Sequence, residues 1–180
     1  MSLTKSAFAL LGGASLSLLL AGTLHAVEYQ HSLTAGQMSF AWSVAGDNLA
    51  VKLSAPTTGW VAVGFNPTDT MKDANIVIGY VKDGKVEISD DVGTQPTMHG
   101  QDVSRGGANN VTLVGGSETG NTTTLEFSIP LKSGDPNDGV IDPKADTKVM
   151  LAYGPDRDSF KLKHQFATTV TVNLDSGAKK

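Results

Sequence analysis

The 180-residue sequence contains no cysteine. This absence excludes a thiol nucleophile, a zinc–thiolate site, an iron–sulfur cluster and covalent attachment of a c-type haem. The sequence also lacks the Gly-x-Ser-x-Gly, His-Glu-x-x-His and glycine-rich phosphate-loop patterns, so it gives no side-chain catalytic constellation that would indicate an enzyme. The formal net charge of −4 argues against nucleic acid as a partner, because nucleic acid requires a basic face.

Long apolar runs are scarce, and the one that stands out lies at the N-terminus. Residues 6–22 carry no charge and follow Lys5, and the Leu-His-Ala sequence ending at Ala26 has the form of a small-residue cleavage site. This order predicts a secretory signal peptide over residues 1–26. The alternative is a retained anchor, but glycines and serines interrupt the run, and a full span needs roughly 20 apolar residues. We therefore expect one secreted or periplasmic domain over residues 27–180.

Short alternating segments dominate the rest of the chain. Residues 38–44 place every second, apolar side chain on one face, and residues 122–129 do the same. Turn-forming residues separate such segments every few positions, and no amphipathic helix is evident. The pattern predicts an all-β fold, an antiparallel β-sandwich of about nine or more strands. Residues 90–110 have no clear period and are interpreted as a long surface loop. The acidic run 133–146 does not match the EF-hand register and is better explained by turns.

Residues 59–80 form the most informative stretch, in which two apolar strands enclose a polar loop. Met71 stands alone in that loop among Asp, Thr and Lys residues. A thioether gains little from exposure to water, so it either packs over a sheet edge or binds a soft metal or a haem iron. His31, His99 and His164 are the histidines outside the predicted signal peptide. A methionine and a histidine on two loops of a sandwich are able to hold a non-covalent haem as an axial pair.

Three segments, in chain order, resemble the DOMON domain family. Residues 59–80 are similar to its Gly-Trp strand, Asn-Pro loop, Met and following apolar strand. Residues 111–141, with a Gly-Ser-Glu turn and a Gly-Asp turn, are similar to its middle segment. Residues 149–174 are similar to its closing segment, in which an irregular loop and a His precede the last strand. The resemblance covers most of the predicted mature chain.

The resemblance implies an immunoglobulin-like sandwich that binds haem b or a sugar. In the haem-binding branch, typified by the cytochrome domain of cellobiose dehydrogenase, Met71 and His164 match the axial ligands. The branch related to the haem subunit of ethylbenzene dehydrogenase pairs Met with Lys, so Lys163 and Lys161 remain alternative ligands. Aromatic candidates for the apolar wall of the haem pocket are Trp60, Phe65, Tyr80, Tyr153 and Phe166.

We therefore expect an exported, stand-alone b-type cytochrome that transfers electrons to a redox partner protein, such as a membrane cytochrome or a periplasmic oxidoreductase. The first alternative is a carbohydrate- or small-ligand-binding DOMON module without haem. Aromatic residues, at 6% of the chain, offer few side chains for a sugar platform. The second alternative is a copper-binding protein, with candidate ligands Met38, Met71, Met98, His99 and His31.

Overall fold

The computed structural model describes residues 28–180, and the predicted signal peptide lies outside the described residues. Within that range the chain forms eleven β-strands and one short 3-10 helix, Asp102–Arg105. None of the described helices is long and apolar enough to cross a membrane. The strands are β1 (His31–Ala35), β2 (Met38–Ala45), β3 (Asn48–Ala55), β4 (Val61–Phe65), β5 (Asn75–Lys82), β6 (Lys85–Gln95), β7 (Met98–Gln101), β8 (Thr112–Thr119), β9 (Thr122–Pro130), β10 (Asp146–Tyr153) and β11 (Phe166–Asn173).

The strands form two antiparallel sheets. One sheet has the order β1-β2-β3-β9-β8, and the other has the order β11-β10-β4-β5-β6-β7. The prediction of an all-β antiparallel sandwich is confirmed. Its physical basis is the period of two along each strand, which gives a sheet one face for the core and one for solvent.

Alternating apolar residues of both sheets form the core. In β9 the side chains of Leu125, Phe127 and Ile129 are buried, whereas the residues between them are partly exposed. The Trp42 ring stacks on Phe40 at a centroid distance of 4.7 Å. Its indole Nε1 donates a 2.9 Å hydrogen bond to the Leu174 carbonyl, so the buried polar atom of the largest core residue is satisfied.

The central strand β4 is buried along its whole length, so both of its faces are covered. Val61, Val63 and Phe65 belong to the main core between the sheets. Alternation along the strand therefore turns Ala62 and Gly64 to the opposite, outer face of the second sheet. This outer face carries the site described below.

The expectation of a long surface loop over residues 90–110 is wrong. Strand β6 continues to Gln95, and β7 pairs with it before the 3-10 helix begins. The apolar period is broken there by Asp90 and Asp91, which are buried although they are acidic. Similarly, β8 extends through the glycines and polar residues that indicated a turn, and the turn falls at residues 120–121.

Candidate functional site

A cleft of about 690 Å³ lies against the outer face of the second sheet. Small side chains from β4, β10 and β11 line it, namely those of Ala62, Ala152 and Ala167, together with Gly64. Ile76 and Ile78 of β5 and Met150 of β10 supply larger apolar surface. The volume is in the range of cofactor sites, about 300–1,000 Å³, and the small residues leave room for a flat group over the sheet.

The β4–β5 connection, residues 66–74, places Met71 at the cleft. Asn66, Thr70 and Asp73 all have positive φ, at 53°, 53° and 62°, which costs free energy for residues other than glycine. Hydrogen bonds to the neighbouring hairpin hold this conformation: the Met71 N–H donates to the Pro96 carbonyl at 3.1 Å. The loop is therefore fixed to β6 and β7, and Met71 lines the cleft in a defined position.

Gly93 on β6 is the contact point for this loop. A Cβ at position 93 would lie 1.6 Å from the carbonyl oxygen of Met71 and 3.2 Å from the nitrogen of Ala74. The Gly93 carbonyl also accepts a 2.8 Å hydrogen bond from Asp73, and its N–H donates to Ala74 at 2.9 Å. The backbone carrying Met71 reaches its position only because residue 93 has no side chain.

The β10–β11 connection, residues 154–165, places His164 at the same cleft. Its two ends are tied to the sheet, since Gly154 donates to the Trp60 carbonyl at 2.9 Å and Gln165 donates to the Tyr153 carbonyl at 3.0 Å. Burial lowers the pKa of His164, and the positive charge of Lys163 acts in the same direction. The imidazole is therefore neutral at neutral pH, and its nitrogen lone pair is available to a metal.

The two connections leave the sheet at opposite ends of its strands. In the β4–β10 pair, Phe65 lies opposite Val149 and Val61 lies opposite Tyr153. The Met71 connection starts after Phe65, whereas the His164 connection starts after Tyr153. A thioether and an imidazole therefore reach one cleft from opposite ends of the strands.

Trp60 precedes β4 and lines the cleft with an indole that is only 5% exposed. Its edge packs on Gly154, where a Cβ would lie 2.3 Å from Nε1. That Nε1 is buried without a hydrogen-bond partner among the described residues. A buried unpaired N–H is costly, and this one is closed off from the cleft as well as from solvent. Trp60 therefore offers the cleft the apolar surface of its ring.

The other predicted pocket aromatics do not line the cleft. Tyr80 is on the outer face but packs on Phe160, at a centroid distance of 4.7 Å. Phe65, Tyr153 and Phe166 belong to or pack against the core between the sheets, where Tyr153 stacks on Phe166 at 5.3 Å. Phe65 and Tyr153 share the strand parity of core residues, which directs their side chains away from the cleft.

Lys161 and Lys163 also line the cleft, so both alternative haem ligands lie at the same cleft as Met71.

The proposed copper ligands do not come together as one set. Met38 is fully buried in the core, and His31 lies on β1 of the other sheet, with Nε2 3.0 Å from the Asp175 carbonyl oxygen.

Sequence reasoning left the role of His99 open, and the structure places it at the cleft. Its Nδ1 lies 2.6 Å from Oδ2 of the buried Asp91. Ser89 donates to the other carboxylate oxygen at 2.5 Å. The Nδ1 contact orients the ring. His99 thus brings a second imidazole to the cleft that Met71 and His164 line.

The donor set and the shape of this cleft fit haem b. One thioether and one neutral imidazole are available, small residues line the sheet, and Trp60 supplies apolar ring surface. The fold and the site together define a β-sandwich module with a haem-sized cleft on the outer face of one sheet. The chain belongs to the DOMON domain family, whose model matches residues 34–154. The match includes Met71 and ends before His164.

The related sequences are parts of much larger proteins. DBH-like monooxygenase protein 2 of Mus musculus is 33% identical over 125 residues, which are 68% of this chain and 19% of that protein. DBH-like monooxygenase protein 1 of Homo sapiens is 30% identical over 118 residues, 66% of this chain and 18% of that protein. The chain thus spans about a fifth of the length of the curated relatives it matches.

Two solved structures share the fold. The cytochrome b domain of pyranose dehydrogenase from Coprinopsis cinerea superposes with a TM-score of 0.58 at 14% identity, over 78% of each chain. The cytochrome domain of Myriococcum thermophilum cellobiose dehydrogenase gives a TM-score of 0.55 at 12% identity, over 83% of each chain. The resemblance of the sequence to the DOMON family is confirmed, and the chain shares its fold with two cytochrome domains.

Proposed function

We propose that this protein is an exported b-type cytochrome that binds haem non-covalently and transfers electrons. The observation that carries the proposal is that Met71 and His164, on connections from opposite strand ends, line one cleft of haem size. Support also comes from the two structural neighbours, which are cytochrome domains by name.

In this proposal Met71 supplies a thioether and His164 a neutral imidazole to the iron. When bound, the haem supplies one-electron redox chemistry at a potential that Met ligation raises. The residues that line the cleft would bind the macrocycle and exclude water from it. The chain itself performs no substrate chemistry, and a redox partner protein, such as a membrane cytochrome or a periplasmic oxidoreductase, exchanges the electron.

The proposal is tested by adding haemin to the purified protein and recording absorption spectra before and after reduction with dithionite. We expect one haem per chain and a sharp, six-coordinate, low-spin reduced spectrum. The same titration with an unrelated β-sandwich of similar size controls for non-specific haemin binding. A protein that stays colourless in haemin, or a five-coordinate spectrum only, would contradict the proposal.

Trp60→Phe is expected to weaken haem binding several-fold while leaving the haem-free protein as stable as before, within about 1 kcal/mol. The substitution keeps an aromatic ring but reduces the apolar surface that Trp60 presents to the cleft. It also removes Nε1, a buried donor without a partner among the described residues. Haemin titration and urea unfolding of the two proteins measure the two effects. Equal haem affinity would show that the Trp60 ring does not contact the cofactor.

A carbohydrate-binding module is the alternative proposal, and it requires an exposed aromatic platform. The aromatic residues nearest the cleft do not form one. Trp60 is 5% exposed. The rings of Tyr80 and Phe160 pack against each other with their planes tilted by 49°, so they do not form one flat surface. Binding of the colourless protein to a glycan array would favour this alternative.

A further inference from the structure

Three acidic residues from distant parts of the chain meet beside β6, and none of the three lines the cleft that Met71 and His164 share. Asp90 lies on β6, Asp102 begins the 3-10 helix, and Asp138 lies between β9 and β10. One carboxylate oxygen from each lies within 4.8 Å of those of the other two. We refer to these residues as the Asp90 cluster.

Two of the three carboxylates are buried, Asp138 is partly exposed, and the described side chains do not balance their charge. Asp90 is 5% exposed and Asp102 only 1%. Both oxygens of Asp102 and Oδ1 of Asp90 have no hydrogen-bond partner among the residues that the structure describes. Among residues 28–180, the ion pairs are Lys52–Glu126, His99–Asp91 and Lys180–Asp146, none of which includes a cluster member.

Neighbouring backbone and amide groups hold the carboxylates in place but leave those oxygens free. The Asn110 N–H donates to Oδ2 of Asp90 at 2.7 Å, and its side-chain amide donates to Asp138 at 3.1 Å. Gly107 closes tightly over Asp102, since a Cβ there would lie 2.4 Å from Oδ2. Carboxylate oxygens of Asp90, Asp102 and Asp138 therefore face one another within 4.8 Å.

A buried carboxylate without partners is unfavourable unless a proton or a cation compensates it. Burial raises the pKa of Asp90 to about 7, and the nearby Asp138 and Asp102 carboxylates add to the increase. Burial also raises the pKa of Asp102 and of Asp138. The three groups therefore repel one another, and a divalent cation would relieve the repulsion more fully than a single proton.

We infer that Asp90, Asp102 and Asp138 form a calcium-binding site. The buried, unpartnered oxygens of Asp102 and Asp90 would be its ligands. Hard oxygen donors favour Ca²⁺ or Mg²⁺ over transition metals. Ca²⁺ is favoured because its ligands at about 2.3–2.6 Å allow opposite oxygens about 5 Å apart, whereas Mg²⁺ requires a smaller, octahedral shell. The site joins β6 to two connections, so Ca²⁺ would stabilise this end of the sandwich.

Asp135 and Asp142 behave differently from Asp138 although all three belong to the acidic run. Asp135 accepts from the Asn137 N–H at 2.9 Å, and Asp142 accepts from the Lys144 N–H at 2.9 Å. These two carboxylates form the turns predicted from sequence. Asp142 is therefore a suitable control position, since it lies in the same segment but outside the cluster.

The test is a calorimetric titration of the chelator-treated protein with CaCl₂ and, separately, MgCl₂, together with thermal unfolding in each salt. We expect one Ca²⁺ per chain, tighter than Mg²⁺ by at least about tenfold, and a Tm that rises with Ca²⁺ concentration. Asp102→Asn and Asp138→Asn should each weaken Ca²⁺ binding at least about tenfold. Asp142→Asn should bind Ca²⁺ as the parent protein does.

Asp102→Asn should also raise the Tm of the metal-free protein, because it removes one of three mutually repelling buried charges. No heat and no Tm change at millimolar Ca²⁺ would overturn the inference, as would unchanged Ca²⁺ binding by both cluster variants. Equal affinity for Mg²⁺ would overturn the choice of Ca²⁺. If Asp102→Asn does not fold, the partly exposed Asp138 provides the decisive variant.

Discussion

His164→Ala is expected to abolish the six-coordinate, low-spin spectrum of the haem-loaded protein and to weaken haem binding at least about tenfold, or about 1.4 kcal/mol. The imidazole is the stronger of the two proposed donors, and burial keeps it neutral. Met71→Ala should give a comparable loss of the six-coordinate spectrum and also lower the reduction potential, because a thioether favours the reduced iron. Haemin titration followed by absorption, and redox titration of the bound haem, measure both effects.

Matched controls come from the same residue types outside the cleft. Met98 is 52% exposed, and the His31 ring contacts the Asp175 carbonyl on the other side of the sandwich. Met98→Ala and His31→Ala should leave the spectrum unchanged. If His164→Ala keeps a low-spin spectrum and Lys163→Ala or Lys161→Ala loses it, a lysine is the second ligand. If Met71→Ala and His164→Ala together change nothing, the axial assignment is wrong.

The sandwich could be predicted from sequence because its strands are half-buried and alternate. Strands such as β2 and β9 show their core face directly in the period of two, and turn residues mark where each strand ends. Strand β6 could not be followed in this way, because Asp90 and Asp91 occupy positions that a core strand normally gives to apolar residues. Their burial depends on partners such as Asn110 and His99, which lie further along the chain.

The position of Met71 was identifiable because a lone thioether in a polar loop is unusual. The wall of the cleft was not identifiable, because β4 is apolar on both faces and its sequence does not indicate which face meets the core. Aromatic residues therefore suggested the pocket, yet Phe65 and Tyr153 are core residues. The cleft depends instead on small residues such as Ala62 and Gly64, which give no sequence signal because their role is to leave space.

The Asp90 cluster illustrates a second limit of sequence reasoning. Asp90, Asp102 and Asp138 follow no ligand spacing, because strand pairing and two separate connections bring them together. In the acidic run, turn-forming Asp135 and Asp142 cannot be told from Asp138 by residue type. Only the three-dimensional arrangement shows that one of these carboxylates turns inward while the other two form turns.

Gly93→Ala is expected to destabilise the protein by at least about 2 kcal/mol and to remove Met71 from its position at the cleft. The added Cβ would overlap the Met71 carbonyl, whose oxygen would be only 1.6 Å away. The overlap is with backbone atoms, so no change of side-chain rotamer relieves it, and overpacking of this kind costs about 1–3 kcal/mol. Moving the loop also breaks the hydrogen bonds of Gly93 with Asp73 and Ala74, each worth about 1 kcal/mol.

Gly115→Ala on β8 is the matched control, because a Cβ there meets nothing within 4 Å. It should be as stable as the parent protein or slightly more so, and it should keep full haem affinity. Urea unfolding and haemin titration of the two variants compare the effects directly. Gly59→Ala tests the other connection, since its Cβ would lie 2.0 Å from the Pro155 carbonyl oxygen, and it should displace His164 while leaving Met71 in place. If Gly93→Ala matches Gly115→Ala in both measurements, the close contact between β6 and the Met71 connection is absent in solution, and Met71 is not held for ligation.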